Sequence, residues 1–370
     1  MFLNKFSLLY KRFEKWISPI GLIYGFIFTW LTLTRVDMFL ENFWIVLHLL
    51  IAAFGILALT LYENKADQKS VPPSDREKFH FFLTLIIQFA FGGLFSTFFV
   101  FYIRSTSFAD SWLFILLLLV LLIGNELWKR HYQRLAFQIS VLFVSLYLFL
   151  VFLLPVLFHR LGADLFILSG ILSLVIVFLF TLILRKYASE KFKSNHNILK
   201  ISLVSIFLVM NVLYFTNIIP PIPLALKQAG VYHSIVKVSS DSGAVVSYEA
   251  KSEATSWVDY FTRYPVFHKR AGETIYVFSA IFSPVNFTTQ IIHQWQYYDD
   301  VKKEWIDSSK ITLPITGGRE EGYRLYSLKQ AVTPGLWRVR VMTPSGQILG
   351  NINFRVENTL ILPSLITKTL

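Results

Sequence analysis

The amino-acid sequence predicts a protein in two parts. A polytopic α-helical membrane domain of about seven spans, N-terminus in and C-terminus out, precedes an all-β immunoglobulin-like sandwich. Three observations lead there. Long apolar runs fill residues 17–219, a two-residue alternation replaces them after Pro223, and basic residues collect in every second loop.

Composition narrows the classes further. Of 370 residues, 54% are hydrophobic and only 16% charged, outside the usual range of soluble domains. There is no Cys, which excludes disulfides, thiolate metal sites and thiol nucleophiles. The net charge of +12 would suit nucleic acid. Its placement does not, because no stacking platform of aromatics lies between basic residues, and no nucleic-acid partner is expected.

Residues 1–16 place Phe2, Phe6, Leu9, Phe13 and Trp16 on one helical stripe, with Lys5, Lys11, Arg12 and Lys15 off it. The segment reads either as an interfacial amphipathic helix or as a basic flank of the first span. The membrane domain, 17–219, has spans at Ile17–Thr34, Phe43–Tyr62, Phe79–Ile103, Trp112–Trp128, Leu135–Phe158, Leu161–Leu184 and Ile198–Ile219. Arg35-Val36-Asp37 follows the first without a small-x-small site, unlike a cleaved signal. Basic residues favour one side by 16 to 3, counting the N-terminus and even-numbered gaps against Arg35, Arg104 and Arg160. That bias predicts a cytoplasmic N-terminus and, for a bacterium with two membranes, an inner-membrane protein with a periplasmic C-terminal domain.

Pro220, Pro221 and Pro223 end the helical half and open a junction over 220–230. The β domain is predicted over 231–359, with residues 360–370 as a tail. Its strands are expected at Val231–Val238, Ala244–Ala250, Glu273–Phe282, Thr289–Asp299, Glu304–Leu313, Gly322–Leu328, Trp337–Thr343 and Ile348–Val356. In the last pair Trp337, Val339 and Val341 alternate with Arg338 and Arg340, and Pro344-Ser345-Gly346 reads as the hairpin turn.

From about Val266 the motifs His293-x-Trp295, Tyr323-Arg324-x-Tyr326-Ser327, Pro334-Gly335-x-Trp337-Arg338-Val339, Gly346-x-Ile348-Leu349-Gly350 and Phe354-x-Val356 occur in order. This run resembles the bacterial envelope domain catalogued as domain of unknown function 2914, over roughly the last 100 residues. The segment Pro220-Pro221-Ile222-Pro223-Leu224 with Gly230-Val231-Tyr232-His233 is similar to the junction in members that carry a multi-helix membrane half. The resemblance implies a topology and a location, and no reaction.

Polar residues inside apolar spans are the default functional candidates there: His48, Gln88, Asn125, Glu126 and Asn211. His48 reads either as a proton relay or as a hydrogen bond between helices, and Asn125-Glu126 either as a site at the membrane face or as partners of Lys129 and Arg130. In the β domain Arg263, Tyr264, His268, Lys269 and Arg270 read as a basic, aromatic-flanked binding surface or a solvated turn. His293 shares a strand face with Trp295, which predicts a core histidine, since no HxH, HxxxH or His–carboxylate cluster accompanies it. Arg324 and Ser327 lack a nucleophile elbow. No metal or cofactor is expected. The first expectation is a non-enzymatic scaffold whose sandwich binds an envelope protein, lipid or glycan, with membrane lipids around its helices. The alternative is an intramembrane enzyme or transporter of a lipid-linked substrate with the sandwich as its lid.

Overall fold

The computed structural model describes residues 24–370 except 25, 34–37, 69–72, 105–107, 128–133, 188, 222, 240–244, 255–261, 284–287, 317–318 and 362. The segment 1–16 and most of the first expected span lie outside the described residues, although 26–32 are helical. The chain divides into two compact units, Met1–Arg104 with Ser111–Ile222, and Ser105–Asp110 with Pro223–Leu370.

The first unit is helical: α1 Phe39–Gln68, α2 Pro73–Arg104, α3 Phe108–Leu127, α4 Leu135–Phe158, α5 Ala163–Tyr187 and α6 Ser189–Phe215. Among the described residues 5 stretches are long and apolar enough to cross a membrane: Phe39–Asn64, Phe79–Ile103, Leu135–Phe158, Ala163–Tyr187 and His196–Phe215. The expected fourth span is a shorter apolar helix over Trp112–Asn125, and Trp128 lies outside the described residues. Helix α4 packs against α1, α2, α5 and α6, and is apolar around its whole circumference, as a central helix should be.

Hydrocarbon offers helices no hydrophobic drive to associate, so close packing must supply it. The ring of Tyr102 sits 4.7 Å from Phe114 and 4.7 Å from Phe152, joining α2, α3 and α4. Gly170 in α5 makes room for Tyr147 of α4, for a Cβ there would stand 2.6 Å from the Tyr147 ring. Helix α6 stops at Phe215 rather than running to Ile219. Asn217 adopts a left-handed conformation (φ 59°), and the amides of Ile218 and Ile219 turn back to the Leu213 carbonyl. This capping turn, not the prolines beyond it, ends the helix.

The second unit is built of strands β1 Ala225–Tyr232, β2 Ser234–Ser239, β3 Val245–Glu253, β4 Val266–Lys269, β5 Ile275–Ser283, β6 Thr288–Asp299, β7 Glu304–Thr316, β8 Arg319–Lys329, β9 Gly335–Met342, β10 Ile348–Asn358 and β11 Leu365–Thr369. They form sheets of order β1-β5-β8, β4-β10-β9-β6-β7 and β11-β3-β2. Every pairing is antiparallel except β4 with β10.

Strand β5 explains the layering. Ile275, Val277, Ser279 and Ile281 are fully buried on one of its faces, and Phe278 and Ala280 are buried on the other. The first face meets β6 of the five-stranded sheet, where Ser279 bonds His293. The second packs on Ile235, Ala250 and Leu370 of the small sheet. A strand covered on both sides reads as an unbroken apolar run, and IYVFSAIF is one.

Several expected boundaries move. The single strand Val231–Val238 breaks at His233, whose amide crosses to the Lys251 carbonyl of β3. Strand β1 begins inside the expected junction, and part of the expected tail is β11, paired with β3. The hairpin of β9 and β10 does turn at Pro344-Ser345-Gly346, with Gly346 at φ 87°.

Gly170→Val should therefore lower the stability of the detergent-purified protein by about 1–3 kcal/mol, since Tyr147 has to move. Ile171→Val, at a position 47% exposed on the same helix, should stay within about 0.5 kcal/mol. Thermal melts of the two variants beside the parent check both values.

Candidate functional site

Motif residues His293, Trp295 and Ser327 converge on the interface between the five-stranded sheet and the β1-β5-β8 sheet. His293 of β6 is fully buried, its Nδ1 2.8 Å from Ser327 Oγ of β8 and its Nε2 2.9 Å from Ser279 Oγ of β5. The Trp295 indole N–H donates to Ser327 Oγ at 3.1 Å. A neutral imidazole donates to one of the two hydroxyls and accepts from the other, while Trp295 donates to Ser327. Burial pushes the His293 imidazole down from 6.5 to about 4, so the ring is neutral at ordinary pH. These four buried side chains tie β5, β6 and β8 together across two sheets. Trp337 completes the layer, edge-on to Trp295 at 6.4 Å, its indole N–H on the Thr333 carbonyl. Gly335 opens β9 at φ 129°, a backbone setting that favours glycine. Arg324 lies on the opposite face of β8 from Ser327, opposite Ala280 of β5, so the two never share a site.

The outward face of the five-stranded sheet is chemically richer. Arg338 of β9 lays its guanidinium 4.2 Å above the Trp305 ring of β7 and donates from Nε to Gln296 Oε1 at 2.6 Å. Asp307 of β7 accepts from the amide groups of both Gln294 and Gln296 on β6. Gln296 first, then Gln294 and Lys310, hold its carboxyl below the ordinary carboxylate value. Trp305 also meets Tyr298 edge-on at 5.3 Å and faces Tyr264 at 6.3 Å, with Arg263 5.6 Å from the Tyr264 ring. Cation, ring, amide and carboxylate thus alternate across neighbouring strands.

The expected basic surface at 263–270 therefore splits. Arg263 and Tyr264 join the Trp305 group, whereas Lys269 turns inward, 6% exposed, and donates from Nζ to the Gln330 and Val332 carbonyls. Its β4 position faces the layer beneath, so it is corrected from a surface contact to an internal tie. Arg270 stays exposed, and its amide donates to Glu273 Oε2. His268 Nδ1 reaches Glu253 Oε2 at 2.9 Å, and Glu253 and Glu273 both bond His233. This His–carboxylate cluster is not visible as a sequence motif, because each bonded pair is 15 to 40 residues apart and the fold alone unites them. Among the described residues, no group of three His, Cys, Asp or Glu is set to hold a metal ion.

In the helical unit the described polar candidates lie in three places, with Asn125 and Gln88 together and His48 and Asn211 apart. His48 bonds its own helix through Trp44 O at 2.8 Å and rests against Gly93 of α2. Asn125 donates to the Gln88 carbonyl of α2 at 3.1 Å, while the Gln88 Nε2 is buried with no hydrogen-bond partner. Asn211 of α6 donates to Phe207 O and, at 3.3 Å, to the Tyr147 hydroxyl of α4. The Glu126 side chain lies outside the described residues.

Fold and site together define a helical membrane protein with a β-rich C-terminal unit. Residues 288–356, strands β6 to β10 almost entire, match the family described as Protein of unknown function (DUF2914), as the resemblance implied. No curated protein matches the chain. Among solved structures it is similar to a beta-glucosidase from Listeria innocua in complex with isofagomine (14% identity, TM-score 0.21, 32% of this chain and 17% of that one). It is similar also to an immunoglobulin-like protein from Pseudomonas aeruginosa (9%, TM-score 0.20, 36% and 96%) and to the alkylpurine DNA glycosylase AlkC of Pseudomonas fluorescens bound to abasic-site DNA (10%, TM-score 0.21, 86% and 98%). TM-scores this low carry neither a fold nor an activity across.

His293 makes a pH prediction. Its folded value lies below the unfolded one, so between about pH 4 and about pH 6.5 the unfolded chain binds the extra proton and stability falls as pH drops, by on the order of 3 kcal/mol. His293→Gln should remove that slope when denaturant melts followed by tryptophan fluorescence are compared across the window. Ser327→Ala, which strips Trp295 and His293 of one partner, should cost about 1–3 kcal/mol at every pH.

Proposed function

We propose that this chain is a non-enzymatic membrane-anchored binding protein. Seven spans with a cytoplasmic N-terminus carry an immunoglobulin-like sandwich on the far side of a bacterial inner membrane. There the sandwich serves as a scaffold or assembly module for an envelope glycan, protein or lipid. The observation that carries this reading is the outward face around Trp305. An array of arginine, amide, carboxylate and ring groups, held in place by one another, suits a ligand rich in hydroxyl and acidic groups, so an acidic glycan is the best match of the three. The family match supports the domain assignment, and the 16-to-3 loop bias supports the orientation. Among the described residues, His48 and Asn211 bond their own helices and Asn125 meets the Gln88 carbonyl, which favours the scaffold reading over the transporter alternative.

Two measurements test the proposal. A reporter inserted in the exposed turn at 300–303 should be active only outside the cytoplasm; cytoplasmic activity overturns the orientation. Full-length protein in lipid nanodiscs should bind an acidic bacterial polysaccharide saturably. Trp305→Ala and Arg338→Ala should each weaken that binding about tenfold or more without loss of folding. Absent binding by the parent, or equal affinity in both variants, removes this face from consideration.

A further inference from the structure

His233 occupies the one-residue break between β1, in the middle layer, and β2, in the small sheet. Its amide holds the Lys251 carbonyl of β3 at 2.9 Å, and its ring lies 4.3 Å from Phe267 of β4, nearly parallel. The side chain is 3% exposed, yet both ring nitrogens face carboxylates: Nδ1 is 2.7 Å from Glu273 Oε1 and Nε2 is 3.3 Å from Glu253 Oε1. Two acceptors on two nitrogens can be served only by the imidazolium, because neutral imidazole has a single N–H and would turn a lone pair on one carboxylate.

Each carboxylate reaches further. Glu253, at the end of β3, also accepts the His268 amide at 2.7 Å and meets His268 Nδ1 at 2.9 Å. Glu273, in the turn before β5, accepts the Arg270 amide at 2.8 Å. Among the described residues, the titratable groups around His233 are Glu253 on β3, with Lys251 exposed on the same strand, His268 and Lys269 on β4, and Arg270 and Glu273 in the turn. One buried cation joins the small sheet to both larger ones.

We propose that this corner is a pH-operated latch, which keeps the β11-β3-β2 sheet seated on the rest of the β unit while His233 is protonated and frees it when His233 loses its proton. Burial is the largest single influence on His233 and pulls its value down, but the hydrogen bonds to Glu253 and Glu273 and the charges of both carboxylates together outweigh it, and the net direction is up. Burial likewise raises Glu253, and the bonds from His233 and His268 outweigh it, leaving it lowered. Stabilisation from His233 is thus complete below its ordinary value of 6.5 and disappears as pH rises through the higher folded value. Stabilisation from Glu253 is complete above 4.5 and disappears as pH falls through its lower one. The latch is shut between those limits and opens on the alkaline side. Opening bares the apolar contacts of Ile235, Ala250 and Leu370 with Phe278 and Ala280.

Hydrogen–deuterium exchange of the full chain in nanodiscs, corrected for intrinsic rates, tests the latch from about pH 6 to about pH 9. Protection in β2, β3 and β11 should fall about tenfold or more over that range while β6 and β9 hold theirs. Glu273→Gln, which keeps an acceptor for Nδ1 but removes its charge, should move the midpoint to lower pH. His233→Gln should leave the small sheet weakly protected at both ends. Protection of the parent that is constant with pH, a fall shared equally with β6 and β9, or an unmoved midpoint in Glu273→Gln overturns the proposal. The Glu273→Gln arm keeps the test decisive should His233→Gln fail to fold.

Discussion

A backbone amide or carbonyl cut off from water has to be bonded by the chain itself, and both units follow from that requirement. The apolar stretches of the first unit meet it as helices, which satisfy their backbone internally. The β unit meets it differently. Strand β5 is buried on both faces, so it takes β1 along one edge and β8 along the other, and its apolar run then needs a sheet above and a sheet below. The third layer, and with it the corner at His233, exists because the middle strand has nowhere to meet solvent.

Buried polarity is handled in two contrasting ways within the β unit. His293 sits between two hydroxyls, and its burial makes protonation costly. His233 sits between two carboxylates, which make the proton welcome. The same residue type therefore ties the sheets together at one end of the pH scale and loosens them at the other. Two things differ, the depth of desolvation and the charge of the group that each ring nitrogen touches. The outward sheet face is a third case, where Gln294, Gln296 and Asp307 spend their hydrogen bonds on one another while Arg338 rests on a ring.

Much of the architecture was legible in the sequence, for physical reasons. Five apolar helices among the described residues are long and apolar enough to cross a membrane, and β9 and β10 alternate cleanly around a Pro-Ser-Gly turn. His293 and Trp295 were placed in the core by parity alone. Other features were not legible. Strand β4 has four residues, too few to show a period, and pairs in parallel with a strand far along the chain. Strand β11 lies in an apolar end segment too short to span a membrane and so reads as a tail, and β1 hides beside the prolines. Trp305 drew no notice because its importance comes from Arg338 and Tyr264, which register and not sequence spacing bring to it. Lys269 looked like part of a basic run, and only the pairing of β4 turns it inward.

The strand order carries a consequence for biosynthesis. Strand β5 can find β1 as soon as both have left the ribosome, but its other edge stays open until β8 has been made. Strand β4 waits longer still, since its partner β10 begins at Ile348. Contacts so distant in sequence close slowly. A half-synthesised β unit therefore exposes the aggregation-prone edge of its most apolar strand, and the nascent chain depends on late-made residues to cover it.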